Sequence, residues 1–275
     1  MRLVRRALRA IPVVWLTVFI GCSQDGTVSA DLVLVNGRVV TVDPAMPEAE
    51  AIAVRGDRIV AVGSTDEIEA LVGAATRVID LDGRLAIPGF IEGHGHYTSL
   101  GQSKMILDLT QATTWDEIVA MVAEAVEETP PGEWIQGRGW HQEKWLEAPD
   151  VTVDGVPLHA ELSAVSPRNP VVLGHSSGHA AFANARALAM ADIGADTPDP
   201  VGGTIVRDAA GEATGLLREN ADALVYDVLG AMLASRSEAE QRAEFDRQVE
   251  LAGQEALSKG VTSFHDAGSS FETID

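Results

Sequence analysis

The run Pro88-Gly89-Phe90-Ile91-Glu92-Gly93-His94-Gly95-His96 constrains this chain more than any other. An apolar lead-in, Leu85-Ala86-Ile87, reads as a buried strand that feeds into it. Side chains alternate along extended backbone, so His94 and His96 project from one face. Two imidazoles converging at a strand end make half of a catalytic divalent-metal site. The glycines at 93 and 95 are expected to keep side chains away from that metal. Two surface histidines would give the same bare pair, so the surrounding chain has to decide.

The N-terminus reads as a leader rather than as fold. Arg2, Arg5, Arg6 and Arg9 form a basic segment, and the apolar run 11–20 that follows suits a secretory signal but is too short to span a bilayer. It ends in Phe19-Ile20-Gly21-Cys22, which resembles a bacterial lipobox with Phe19 in place of the usual leucine. Cys22 is the only cysteine, which excludes disulfides, and lipid attachment explains a lone thiol in an exported chain. The expectation is export to the cell envelope, lipid-anchored at Cys22 (at the outer membrane in a Gram-negative host, since Ser23 follows) or periplasmic. A plain signal peptide or an uncleaved anchor is the simpler alternative.

The chain carries 20 Lys+Arg against 41 Asp+Glu, a net charge of −21, and four of its basic residues lie in the leader. Such a field repels nucleic acid and anionic headgroups, so no nucleic-acid partner is expected and the only membrane contact expected is the lipid anchor. The 46 % hydrophobic content is ample for a core. The sequence sets no oligomeric state.

Residues 31–87 read as short strands in hairpins. Segments 31–35 and 38–42 flank Asn36-Gly37, 51–54 and 58–62 flank Gly56-Asp57, and 76–81 and 84–87 flank Asp82-Gly83. The tripeptide Arg55-Gly56-Asp57 is explained by its turn. After His96 the period changes. Thr114-Trp115-Asp116-Glu117 reads as a capping box before a helix through Val126, stopped by Thr129-Pro130-Pro131-Gly132. Ser237-Glu238-Ala239-Glu240 opens another helix, with Phe245, Val249, Ala252 and Ala256 on one stripe and Lys259-Gly260 at its end. A strand, 261–264, then delivers His265-Asp266 at its C-terminal end, the unit of an α/β barrel.

The run from Pro88 resembles the first-strand motif of the amidohydrolase superfamily, with Glu92 where the motif has aspartate. Three further segments resemble one branch, amidohydrolase family 3, which includes N-substituted formamide deformylases. They are Ser177-Gly178-His179-Ala180 with Asn184, the glycine-spaced stretch from Gly202 to Glu219, and Gly260-Val261-Thr262-Ser263 through His265-Asp266-Ala267-Gly268. The stretch Gly132–Trp140 with Trp145 is similar too.

The resemblance implies an α/β fold, a (β/α)8 TIM-type barrel preceded by part of a small composite β-sandwich. Residues 1–21 would be the signal peptide, 22–87 the first part of the sandwich, and 88–275 the first portion of the barrel with a family-type insertion. It implies a metal-dependent hydrolase of non-peptide C–N bonds in a small-molecule amide or formamide, with a divalent metal, zinc, activating water. The implied metal ligands are His94, His96, Glu219 and His265. The implied substrate contacts are His179, His175 and Trp140. His179 and His175 could equally be structural, Glu219 salt-bridged, and Trp140 packed. Asp266 is expected to orient a neighbour or cap the next turn, and His141 and His159 to be exposed.

Residues 88–275 fall short of the roughly 250 residues of a full barrel, and the general-base aspartate of the family is expected beyond residue 275. The expectation is therefore an N-terminal portion of a longer enzyme. The competing readings are an inactive lipid-anchored binding or structural protein on the same scaffold, or a small metalloprotein using His94, His96, His179 and His265.

Overall fold

The computed structural model describes residues 29–270 and 273. The leader and Cys22 lie outside them. Two compact units are present, the first ending at Pro88 and the second beginning at Gly89.

The first unit holds β1 (Leu32–Val35), β2 (Arg38–Val40), β3 (Glu48–Ala49), β4 (Ala51–Arg55), β5 (Arg58–Gly63), α1 (Thr65–Glu69), β6 (Arg77–Asp80) and β7 (Leu85–Ala86). One sheet has the order β5-β4-β1-β6 and the other β3-β2-β7. The β4–β5 hairpin forms around Gly56 as its turn residues require. The other two expected hairpins do not form. Strands β1 and β6 pair in parallel in one sheet, while β2 and β7 pair in parallel in the other. Asn36 (φ 54°), Asp82 (φ 51°) and Gly83 (φ 74°) adopt the left-handed backbone their residue types tolerate. They use it to turn a corner between sheets. The corners are stacked, with Leu81 N–H donating to the Val35 carbonyl and Gly83 N–H to that of Asn36. Turn chemistry fixes the backbone sign but not the strand that comes next to it. Val33, Val35, Ala51, Ala53 and Ile68 form the core. Leu85 is 57 % exposed, so the lead-in to the histidine motif is a short edge strand of this unit rather than a buried one.

The second unit runs β8 (Phe90–Gly95), α2 (Tyr97–Gln102), β9 (Leu107–Asp108), α3 (Trp115–Glu128), β10 (Ile135–Trp140), β11 (Thr152–Val153), β12 (Val156–Pro157), α4 (Ala160–Val165), β13 (Val171–His175), β14 (Ala180–Ala183), α5 (Ala185–Met190), β15 (Gly203–Arg207), β16 (Ala213–Glu219), α6 (Ala223–Ala234), α7 (Glu238–Ser258) and β17 (Val261–Asp266). Its six-stranded sheet has the order β15-β16-β14-β13-β10-β9. Strands β9, β10 and β13 are parallel, and β14, β16 and β15 extend them antiparallel. Both faces are buried. Leu173, Phe182 and Leu216 join Trp115, Ile118 and Leu162 on one side; Val172, Ala181 and Leu217 join Leu188, Val225 and Leu229 on the other.

Helix α3 begins at Thr114, whose hydroxyl accepts from Glu117 N–H. The Glu117 carboxylate reaches Thr113 instead of closing a box on Thr114. The box at Ser237/Glu240 does close, and α7 runs 21 residues to Lys259. Strand β17 then pairs in parallel with β8. No helix among the described residues is long and apolar enough to cross a membrane.

Candidate functional site

The parallel pairing of β8 with β17 brings the C-terminal ends of both strands together. Phe264 of β17 stacks edge-on against Tyr97 at 5.1 Å, on the side where α2 and α7 lie. A Cβ at Gly95 would come within 2.3 Å of the Phe264 ring. Gly95 is therefore a glycine because of packing on the helix side, and one at Gly93 would meet nothing within 4 Å. Neither clears space for a metal, since alternation turns His94 and His96 to the opposite face. Their ring centres lie 5.8 Å apart, edge to face. His265 lies near the C-terminal end of β17, where the register with β8 shifts between Phe264 and Asp266.

Asp266 organises this strand end. One carboxylate oxygen accepts the Tyr97 N–H at 2.7 Å and the other accepts the Gly268 and Ser269 N–H groups, each at 2.8 Å. These bonds, that from Gly268 first, hold its pKa down to about 2. Ala267 N–H donates to the Gly95 carbonyl, and a Cβ at Gly268 would lie 2.8 Å from His96 Nδ1. The turn 266–269 is thus folded under the His96 ring. Both roles foreseen for Asp266, orienting a neighbour and capping the turn, are present.

A second cluster occupies one end of the six-stranded sheet. Strands β10 and β13 run toward it, β14 begins there, and β16 ends there. It gathers His141, His175, His179 and Glu219. Trp140 is 2 % exposed, its indole N–H donates to the Leu173 carbonyl, and its ring edge meets His175 at 4.6 Å. A residue so enclosed cannot touch a substrate, so its expected contact role gives way to packing behind His175. His175 is half-buried between Gln142 Oε1 at 3.0 Å and Ser177 Oγ at 2.8 Å, with the His141 ring 4.6 Å away. Burial, then the neighbouring His141, pushes its pKa down. His141 and His159 are half-buried rather than exposed, because His141 accepts from Glu143 N–H and His159 meets Ser163 Oγ at 3.0 Å.

Glu219 Oε2 lies 3.0 Å from His179 Nδ1. Of its two foreseen roles the structure displays a paired carboxylate, hydrogen-bonded to His179 on a sheet that contains neither β8 nor β17. Asn184 is fully buried; its side chain caps α5 and ties Val171, Ser166 and Asn169. It supports the sheet. Asp222 and Tyr226 at the start of α6 carried no sequence signal, yet burial raises the carboxyl of the first and pushes the phenol of the second up to about 12. The Tyr226 hydroxyl faces Gly174.

Two imidazole donors suit a borderline divalent ion, and His94 and His96 fit that part. Among the described residues no group of three or more His, Cys, Asp or Glu is arranged to hold a metal. The expected set of His94, His96, Glu219 and His265 is not brought together.

The profile of the amidohydrolase family matches residues 77–275, and that of a bacterial imidazolonepropionase-like composite domain matches 51–71. The chain is 37 % identical over 243 residues to protein LONG AFTER FAR-RED 3 of Arabidopsis thaliana, covering 88 % of this chain and 39 % of that one. It is 34 % identical to N-substituted formamide deformylase of Arthrobacter pascens, covering 86 % and 42 %. The chain thus spans about two fifths of the length of these relatives. An uncharacterized metal-dependent hydrolase from Pyrococcus horikoshii shares the fold, with a TM-score of 0.57 at 22 % identity over 85 % of this chain and 42 % of that one.

Proposed function

We propose that this chain, which belongs to the amidohydrolase family, supplies a two-histidine metal site to a hydrolase of non-peptide carbon–nitrogen bonds in small N-substituted amides or formamides. The observation that carries this reading is the His94–His96 pair on one face of a strand end, braced by Asp266. The similarity to a formamide deformylase supports the substrate class. His94 and His96 would hold a divalent metal, zinc in this reading, which would supply activation of water and polarisation of a carbonyl.

The chain's own residues do the positioning. His94 and His96 offer imidazole nitrogens, and Asp266 anchors the backbone that follows His96. Exported from its leader (residues 1–21) and anchored by lipid at Cys22, the protein would meet small substrates in the envelope. Loss of radiolabelled lipid in Cys22→Ser tests that part.

The central experiment is metal content of the chain from residue 22 to 275, beside a His94→Ala/His96→Ala control, followed by hydrolysis assays on N-substituted formamides. Zinc near one equivalent, lost in the control, is the expected result, and amine release by this chain alone would favour a small self-contained metalloprotein. Zinc retained without turnover would favour a binding protein on the same scaffold. No zinc in either chain would overturn the reading for this chain.

A further inference from the structure

Six non-glycine residues adopt positive φ among the described residues. Four are Asn or Asp, which tolerate it. Glu219, at φ 49°, is one of the two that do not belong to that class. Backbone held in a disfavoured region persists where the surroundings over-determine it, and such places cluster at functional sites.

What surrounds Glu219 is His179. The Glu219 N–H donates to the His179 carbonyl at 2.8 Å, while Glu219 Oε2 meets His179 Nδ1 at 3.0 Å. The His179 N–H donates in turn to Ser177 Oγ at 3.1 Å, and Ser177 Oγ lies 2.8 Å from His175 Nδ1. Both backbone groups and one ring nitrogen of His179 are therefore fixed. Its side chain is nonetheless 70 % exposed, and among the described residues Nε2 has no protein partner.

From this geometry we propose that His179 and Glu219 form a carboxylate–imidazole dyad. Glu219 is the positioning residue: its carboxylate holds the proton on Nδ1 and turns the Nε2 lone pair outward. His179 is the contact, a hydrogen-bond acceptor for the N–H or O–H of a small neutral ligand. A carboxylate on one ring nitrogen sets the tautomer of the other, as it does for metal-bound and catalytic histidines. The strained turn at Glu219 is retained because it lets backbone and side chain grip the same residue. The dyad rests on the amidohydrolase reading only for the identity of its ligand, which would be the N–H of the substituted amide.

The test is 15N NMR of the chain labelled at histidine, with His179 assigned from the His179→Gln spectrum. In the wild type the neutral His179 ring is expected to carry its proton on Nδ1. Glu219→Gly removes the carboxylate and relieves the backbone. It should shift the ring toward the Nε2–H form without lowering the melting temperature. Glu219→Gln, which keeps an acceptor oxygen, should retain part of the Nδ1–H preference. In calorimetry with an N-substituted formamide, Glu219→Gly should weaken binding about tenfold.

A wild-type ring protonated on Nε2, or a tautomer indifferent to Glu219→Gly, overturns the dyad. So does a Glu219→Gly chain that melts several degrees lower, because the turn would then serve the fold. Tautomer control without zinc at His94 and His96 leaves the dyad standing and removes the hydrolase reading for this chain. Zinc bound there with an indifferent tautomer does the reverse.

Discussion

The two histidine clusters of the second unit sit on unlike supports. His94, His96 and His265 lie at the end of a two-stranded sheet whose Phe90 and Ile91 are 55 % and 66 % exposed. Backbone hydrogen bonds to Asp266 hold that end together. His175 and His179 lie at the end of a six-stranded sheet with a hydrophobic core on each face. There, side chains far apart in sequence meet because packed strands bring them together. Local pattern is enough to place two imidazoles side by side. Choosing a partner 40 residues away, as Glu219 is from His179, takes a rigid sheet.

The contrast in support predicts a large difference in sensitivity to truncation. Phe182→Ala, in the six-stranded sheet, should cost about 3–5 kcal/mol in denaturant unfolding. Phe90→Ala, in the exposed strand, should cost under about 1 kcal/mol. Equal costs would break the comparison, by showing that β8 is packed as tightly as β14.

Asn184→Ala should be nearly as damaging, at about 3 kcal/mol. It removes a helix cap and strands the Val171 N–H and the Ser166 and Asn169 carbonyls in the interior. A cost below about 0.5 kcal/mol would free Asn184 for a role at the site.

At the other cluster the effect should fall on metal rather than on fold. Asp266→Ala is expected to weaken zinc binding about tenfold by calorimetry, with the main melting transition unmoved. If the melting temperature falls and zinc affinity does not, Asp266 serves the strand pair alone.

The smallest effect concerns pH. Burial, then Asp222, raises the Tyr226 phenol to about 12, so the fold favours its neutral form. The associated stability is complete below the unfolded value near pH 10 and is lost as pH rises through about 12. Tyrosinate absorbance should show a step near pH 12 that disappears in Tyr226→Phe.

Signals that act within a few residues were legible in the sequence. Ser237 and Glu240 cap α7 as their spacing demands, Gly56-Asp57 closes a hairpin, and His94 and His96 share a face. The misread elements fail for one reason. Asn36-Gly37 and Asp82-Gly83 supply the left-handed backbone of a hairpin, but the strands they join pair with strands elsewhere in the chain. Trp140 could line a pocket or fill a core, and only its 2 % exposure decides between them. Glu219 could bridge metals or sit in a surface salt bridge, and the β14–β16 pairing sets it beside His179.

The sequence by itself determined the family, the α/β architecture and the two-histidine strand end, because alternation, capping and turn propensities act over distances of a few residues. The tertiary structure decided which carboxylate serves which histidine, which tryptophan is core and which turns are corners. Those outcomes depend on strand order and burial, and both are set by long-range packing in which each residue type is compatible with more than one environment.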